Sequence, residues 1–216
     1  MALNANLSLA GTIFSDGTFT PLAWTTVQEV GIGSVVISRV ETGGNPDQYL
    51  RVDHQNFTGV LAAYHYRTGA TYDPSWQGAI ATVAWSLDEI AIINLGTTSI
   101  AAGGALGQNG KNYYSVAPNN ITMEHWDTFG LSALSAASFR TFADGNDHPD
   151  FSTSGAPITF GMWTASDNGA QTDPRAAGLD NWSFEITAVP EPSSLLFLGT
   201  GLAALGALAL RRKLRA

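Results

Sequence analysis

Short apolar or alternating runs, broken by clusters of Gly, Pro, Asn and Asp, fill the chain from residue 3 to residue 188. This is the rhythm of strands and turns. It predicts strands at Leu3–Phe14, Ser34–Val40, Tyr49–His54, Val60–Tyr66, Ile80–Leu87, Asn112–Val116, Ile158–Ala165 and Trp182–Thr187. Because successive side chains alternate across a strand, Ala81, Val83, Trp85 and Leu87 share one face of the fifth, and Trp182, Phe184 and Ile186 oppose Asn181, Ser183 and Glu185 in the last. No interval sustains a helical period, although Ser132–Phe139 fits a short helical turn. Many closely spaced strands without intervening helices predict one all-β antiparallel sandwich of jelly-roll type over residues 1–188.

At Val189 the pattern changes. Pro190 and Pro192 flank Glu191, and a proline can neither donate to a ladder nor leave the preceding residue free. Residues 195–210 then run without a charge, about 24 Å as a helix at ~1.5 Å per residue. That is slightly short of the ~20 residues that span a bilayer core, and Ser193 and Ser194 can extend it. A single C-terminal transmembrane helix is expected. Arg211, Arg212, Lys213 and Arg215 follow it, so the positive-inside rule places this end in the cytoplasm and the body outside.

Composition sharpens the picture in two places. Net charge is −8, and because four of the ten basic residues lie at 211–215 the body itself is more acidic still. Such a surface repels phosphate backbones, which excludes a nucleic-acid partner. The chain has no cysteine, which removes disulfide frameworks, thiolate zinc sites and cysteine nucleophiles.

The prolines around Glu191, the apolar run and the terminal basic cluster have the order and spacing of PEP-CTERM sorting signals, and the tail closely resembles that family. The resemblance implies a chain exported from a Gram-negative bacterium, held transiently in the inner membrane by residues 195–210, and processed at Pro190, Glu191 and Pro192 by the membrane enzyme exosortase. It then passes to the cell surface or extracellular matrix, with a structural or adhesive role in biofilm or exopolysaccharide. The beginning, Met1 to Gly11, lacks a basic region and an apolar core of 7–15 residues, so the leader is expected upstream of Met1 or to have been lost. Segments 43–53, 108–114, 151–161 and 178–184 more weakly resemble laminin-type ectodomains with a concanavalin-like or galactose-binding-like sandwich, common ahead of such tails.

Candidate chemistry is sparse. Asp144, Asn146, Asp147 and Asp150, with His148 among them, gather hard oxygen donors in one loop as Ca²⁺ requires. A solvated acidic turn reads the same way, and the EF-hand pattern fails at Pro149 and Gly155. Asp88 and Glu89 suggest the paired carboxylates of a glycosidase, but neighbours in a strand point to opposite faces. His54, His65, His125 and His148 show no ligand spacing. The tryptophans and tyrosines are expected mostly in the core, with Trp76, in a turn, the best exposed platform for a sugar ring. The expected function is non-catalytic, with no required cofactor. A carbohydrate-binding module of the envelope and a glycoside-active enzyme are the alternatives.

Overall fold

The computed structural model describes residues 11–20, 22–93, 100–115 and 125–190. Its strands are β1 (Thr12–Asp16), β2 (Trp24–Val30), β3 (Ser34–Gly44), β4 (Asp47–Gln55), β5 (Val60–Tyr72), β6 (Ile80–Ile93), β7 (Ala101–Gln108), β8 (Lys111–Ser115), β9 (Asp127–Leu134), β10 (Phe139–Arg140), β11 (Ile158–Asp167) and β12 (Arg175–Ala188). A single α-helical turn, α1 (Pro74–Gln77), and a 3₁₀ turn (Ala136–Ser138) complete the regular elements. They form two six-stranded sheets. The first has the order β3-β4-β12-β6-β9 with β1 also on β12, the second β10-β8-β7-β11-β5-β2. Every registered pair is antiparallel.

The all-β antiparallel sandwich expected from the pattern is the fold found. In β12, Trp182, Phe184 and Ile186 are buried while Asn181 and Glu185 are exposed. In β6, Val83, Trp85 and Leu87 are buried as expected, but Ala81 is exposed and Ile80 takes the buried place. The cause is an irregularity in the β6–β12 ladder beside Thr187 and Ala188, which shifts the alternation by one residue. Ser132–Leu134 belongs to β9 rather than to a helical turn, which begins only at Ala136. Strands β2, β7, β9 and β10 come in addition to those expected, of which residues 3–10 of the first and Val116 of the sixth lie outside the described residues.

The core is aromatic at its centre. Trp24 and Trp182 meet edge to face at 5.1 Å, and Phe160 and Phe184 pack at 5.1 Å across the sheets. Gly104 lets the sheets approach this closely, since a Cβ there would lie 2.5 Å from the Trp85 ring and 2.8 Å from that of Phe184. The Trp182 indole donates to the Gly161 carbonyl at 3.1 Å, satisfying its one polar atom within the interface.

β12 organises the first sheet. Its Arg175–Leu179 half pairs with β4, its Trp182–Ile186 half pairs with β1, and β6 runs along its other side. The change of neighbour falls at the irregularity between Asp180 and Ser183, where Asn181 has φ 48°. Polar side chains fill this corner. Asn45 Nδ2 and Asn181 Nδ2 donate to Asp88 Oδ2 at 3.0 and 2.7 Å, Thr128 Oγ1 donates to Asp88 Oδ1 at 2.6 Å, and Asn45 N donates to Asp180 Oδ2 at 2.6 Å. Burial raises the Asp180 pKa, the hydrogen bonds from Asn45 and Asn181 oppose this, and the charges of Asp88 and Asp16 add to the rise.

The start of β12 buries a polar group at a cost. Arg175 pairs in register with His54, is 1% exposed, and has no hydrogen-bond partner at Nε or Nη1. An uncompensated buried charge destabilises a fold. Arg175→Met, which keeps the length and removes the charge, is therefore expected to raise stability by about 1–2 kcal/mol, or roughly 2–6 °C in Tm. A thermal melt of both proteins decides it, and a lower Tm in the variant would refute the account.

Candidate functional site

The register of the second sheet sets out its outer face row by row. One row runs Thr25, Tyr66, Gly161, Ala105, Tyr114, Arg140 across all six strands, and the next runs Val27, Tyr64, Trp163, Gly103. Tyr64, Tyr66, Ala105 and Trp163 form a cluster separate from the inter-sheet core, with Tyr114 and Phe142 packed against it. The small alternate residues of β7 are the reason the rings can come this close. A Cβ on Gly103 would meet the Trp163 indole at 2.7 Å, and one on Gly107 would meet the Tyr66 ring at 3.1 Å. Both rings therefore approach the strand where a side chain would block them.

Polar atoms lock the rings in place. The Trp163 indole donates to Ser115 O at 2.8 Å, and the Tyr66 hydroxyl donates to Asn112 Oδ1 at 2.8 Å. Asn112 in turn donates to Glu29 Oε2 at 2.6 Å. Phe142 stacks on Tyr114 at 4.3 Å, and Arg140 lies over the Tyr114 ring at 5.4 Å while donating from Nε to its hydroxyl at 3.1 Å. Burial, reinforced by the Glu29 charge, pushes the Tyr64 and Tyr66 hydroxyls far above their ordinary range, so both stay protonated donors.

The centre of this face is sealed, with Tyr64 wholly buried and Trp163 and Tyr66 nearly so. Access lies at its side. An open groove of about 400 Å³ is lined by Val27, Gly107, Asn109, Lys111, Asn112 and Thr159. Its floor is glycine backbone beside the Tyr66 ring. Its walls offer an amide at Asn112 and an ammonium at Lys111, the latter paired with Asp147 at 2.8 Å, while Asn112 carries the Glu29 carboxylate. Val27 and Pro157 add apolar surface among these donors and acceptors, and the mixture suits a hydroxyl-rich, weakly amphipathic ligand.

Of the residues singled out from sequence, only Asp147 and Asp150 border the groove, through Lys111 and Gln108. Trp76, in α1, is 76% exposed and apart from this face. In the acidic loop, Asp144 Oδ1 accepts from Asn146 N at 2.8 Å, Asp147 pairs with Lys111, and Asp150 Oδ1 accepts from Ser152 N at 2.8 Å. Asp144 and Asp150 serve their own turns while Asp147 ties the loop to β8, and among the described residues no three His, Asp or Glu side chains converge where a metal could sit. Asp88 faces Asn45, Thr128 and Asn181, whereas Glu89 pairs in register with the core residue Leu179, so the two do not flank one cleft. His54 and His65 face the interior, both within hydrogen-bond reach of Thr164 Oγ1, at 3.1 and 2.9 Å. Pro190 is exposed just beyond β12, while Glu191, Pro192, residues 195–210 and Arg211, Arg212, Lys213 and Arg215 lie outside the described residues. Among the described residues no helix is long and apolar enough to cross a membrane.

The small-residue floor was missed because a strand is sought by its bulky residues. Ala101, Gly103, Ala105 and Gly107 lie on one face, but Ala102 and Gly104 between them are as small, so the segment carries no alternation to mark a strand.

Comparison with known proteins bears on both parts of the chain. Residues 188–213 match the model of the PEP-CTERM protein-sorting motif. The chain carries that sorting motif directly after β12. In structure it is similar to a family 11 carbohydrate-binding module from Clostridium thermocellum in complex with a β-1,3-1,4-mixed-linked tetrasaccharide, at 17% identity, 85% of this chain, 100% of that one and TM-score 0.50. It is also similar to the family 11 module of the cellulosomal cellulase Lic26A-Cel5E of Clostridium thermocellum, at 15% identity over 86% and 99% of the chains with TM-score 0.49. A third similar structure is the CBM22-1 xylan-binding domain from Paenibacillus barcinonensis, at 12% identity over 84% and 98% with TM-score 0.46. The first of these supports the architecture, a jelly-roll-like sandwich of two antiparallel sheets. No curated protein matches the sequence.

Proposed function

We propose that this chain is a non-catalytic exported protein of a Gram-negative bacterium, processed by exosortase and displayed at the cell surface or in the extracellular matrix, where its sandwich binds a neutral polysaccharide. The observation that carries the reading is the placement of the sorting motif, which begins at residue 188 where β12 ends. A folded domain followed at once by a sorting signal is a cargo, and the signal acts on the cargo's address. The groove at Asn112 supports the polysaccharide part of the reading, because Val27 and Pro157 give it apolar surface beside polar walls, a mixture that matches the two sides of a sugar ring.

Intact mass and cell fraction of the protein, expressed with a leader, test the first part in strains with and without exosortase. Shortening and release only in the positive strain is the expected outcome, and an unshortened, membrane-held chain in both strains sinks it. For the second part, calorimetric titration with mixed-linked β-glucan and xylan is expected to show binding that falls at least tenfold in Asn112→Ala and Glu29→Gln, while both variants still melt cooperatively well above the titration temperature. Equal binding by the variants would move the site elsewhere, and no binding to any polysaccharide would leave a purely structural matrix protein.

A further inference from the structure

Trp76 is a large apolar side chain that neither the core nor the groove uses. It is held still by its turn. Asp73 Oδ1 accepts from Ser75 N at 2.9 Å and from Ser75 Oγ at 2.7 Å, and the Tyr72 hydroxyl lies 2.8 Å from Gln77 O and 3.0 Å from Gly78 O. Three residues beyond Trp76, Ala79 O accepts from Val189 N at 2.7 Å. That bond lies one residue before Pro190, so the turn bearing Trp76 stands at the point where the chain leaves the sandwich. Val189 is itself 46% exposed, so two apolar side chains mark this exit.

We infer that Trp76 seats this end of the domain on the lipid surface while the chain is membrane-held. The inference rests on the proposed reading of residues 195–210 as the lipid-embedded segment. Only residues 191–194 separate Pro190 from that segment, and the five steps from Pro190 to residue 195 reach at most ~18 Å fully extended. The headgroup layer takes up about 5–8 Å of this on each side of the hydrocarbon core. The exit end of the domain is therefore pressed close to the headgroups and cannot drift away. An indole is the side chain best suited to that layer, because its flat apolar body and single N–H match a boundary that is half hydrocarbon and half wet. Trp76 fixes how the domain stands on the membrane, with α1 down.

The test uses the full chain reconstituted into phosphatidylethanolamine and phosphatidylglycerol vesicles whose acyl chains carry bromine near the headgroup, which quenches nearby tryptophan. Trp24, Trp85, Trp163 and Trp182 are buried and the remaining tryptophan, Trp126, is half-buried against Tyr49, so the change on Trp76→Phe, read against that on Trp126→Phe, reports this position. Quenching of the wild type is expected to fall by at least half in Trp76→Phe, and also in a chain with twenty Gly and Ser residues inserted after Pro192, with thermal melts unchanged. Equal quenching of wild type and Trp76→Phe in vesicle-bound chains overturns this inference alone. A chain that does not float with the vesicles overturns the lipid-embedded reading, and this inference with it.

Discussion

Lowering the pH from 6.5 towards 3 is expected to remove several kcal/mol of stability, on the order of 5. Two buried histidines cause most of the loss. Burial holds His54 down to about 4 from an ordinary value of 6.5, with the Asp53 charge opposing the shift. Burial likewise holds His65 to about 3, aided by repulsion from His54. In the unfolded chain both take up a proton near pH 6.5, whereas in the fold both remain neutral until far lower pH. The unfolded state binds more protons throughout that window, so stability falls as pH falls. Well above pH 6.5 both are neutral in both states and contribute no slope.

Asp16 adds to the acid loss and Asp180 offsets part of it. Burial by itself would raise Asp16, but hydrogen bonds from Thr18, Phe19, Trp24 and Arg67 outweigh it and lower its pKa. Its stabilisation is therefore present above the unfolded value and lost as pH falls through the folded one. Asp180 is raised, so it favours the folded state in acid and loses that contribution as pH rises. Urea midpoints at pH 7, 5.5 and 4.5 are expected to decline steadily, with the decline flattened in His54→Gln and His65→Gln. A flat wild-type profile would falsify the account.

Asp16→Ala is expected to cost about 3–5 kcal/mol, because it leaves partners without a counterpart rather than removing a pair. The carboxylate is buried at the end of β1 and accepts from Phe19 N at 2.8 Å, Thr18 N at 2.9 Å and the Trp24 indole at 3.0 Å. Arg67 Nε approaches its Oδ2 at 2.7 Å. One side chain thus ties β1, the following turn, β2 and β5, and so joins the two sheets. Chemical unfolding of Asp16→Ala, Arg67→Ala and the double variant measures the coupling. If the single costs simply add, the shared network is not what holds this edge.

Alternation made the central strands legible. Trp182, Phe184 and Ile186 against Asn181 and Glu185 is a period that only a half-buried strand writes, and the sandwich followed from many such runs. The strands that escaped lack that contrast. β2 is an edge strand in which only Trp24 is buried, and β7 is built from alanine and glycine, so neither carries an apolar stripe. The tail was legible because its signal is linear: prolines, apolar run and charges need no fold to be recognised. The groove was not, because it depends on Tyr66 of β5, Gly107 of β7 and Asn112 of β8 meeting through register, and pairing partners distant in sequence cannot be read from local pattern. Trp76 was found from sequence by its turn, but its neighbour Val189 is 113 positions away and only the Ala79 bond reveals it.

The course of β12 has a mechanical meaning for a displayed protein. This strand leads directly to the tail, and it is flanked by β6 on one side and by β4 and then β1 on the other. Ladder bonds lie across the strand, so a pull transmitted from the tail loads them in shear, many at once, instead of peeling them one by one. A polysaccharide dragging on the second sheet while the tail is held would strain the sandwich along the direction in which β12 yields least.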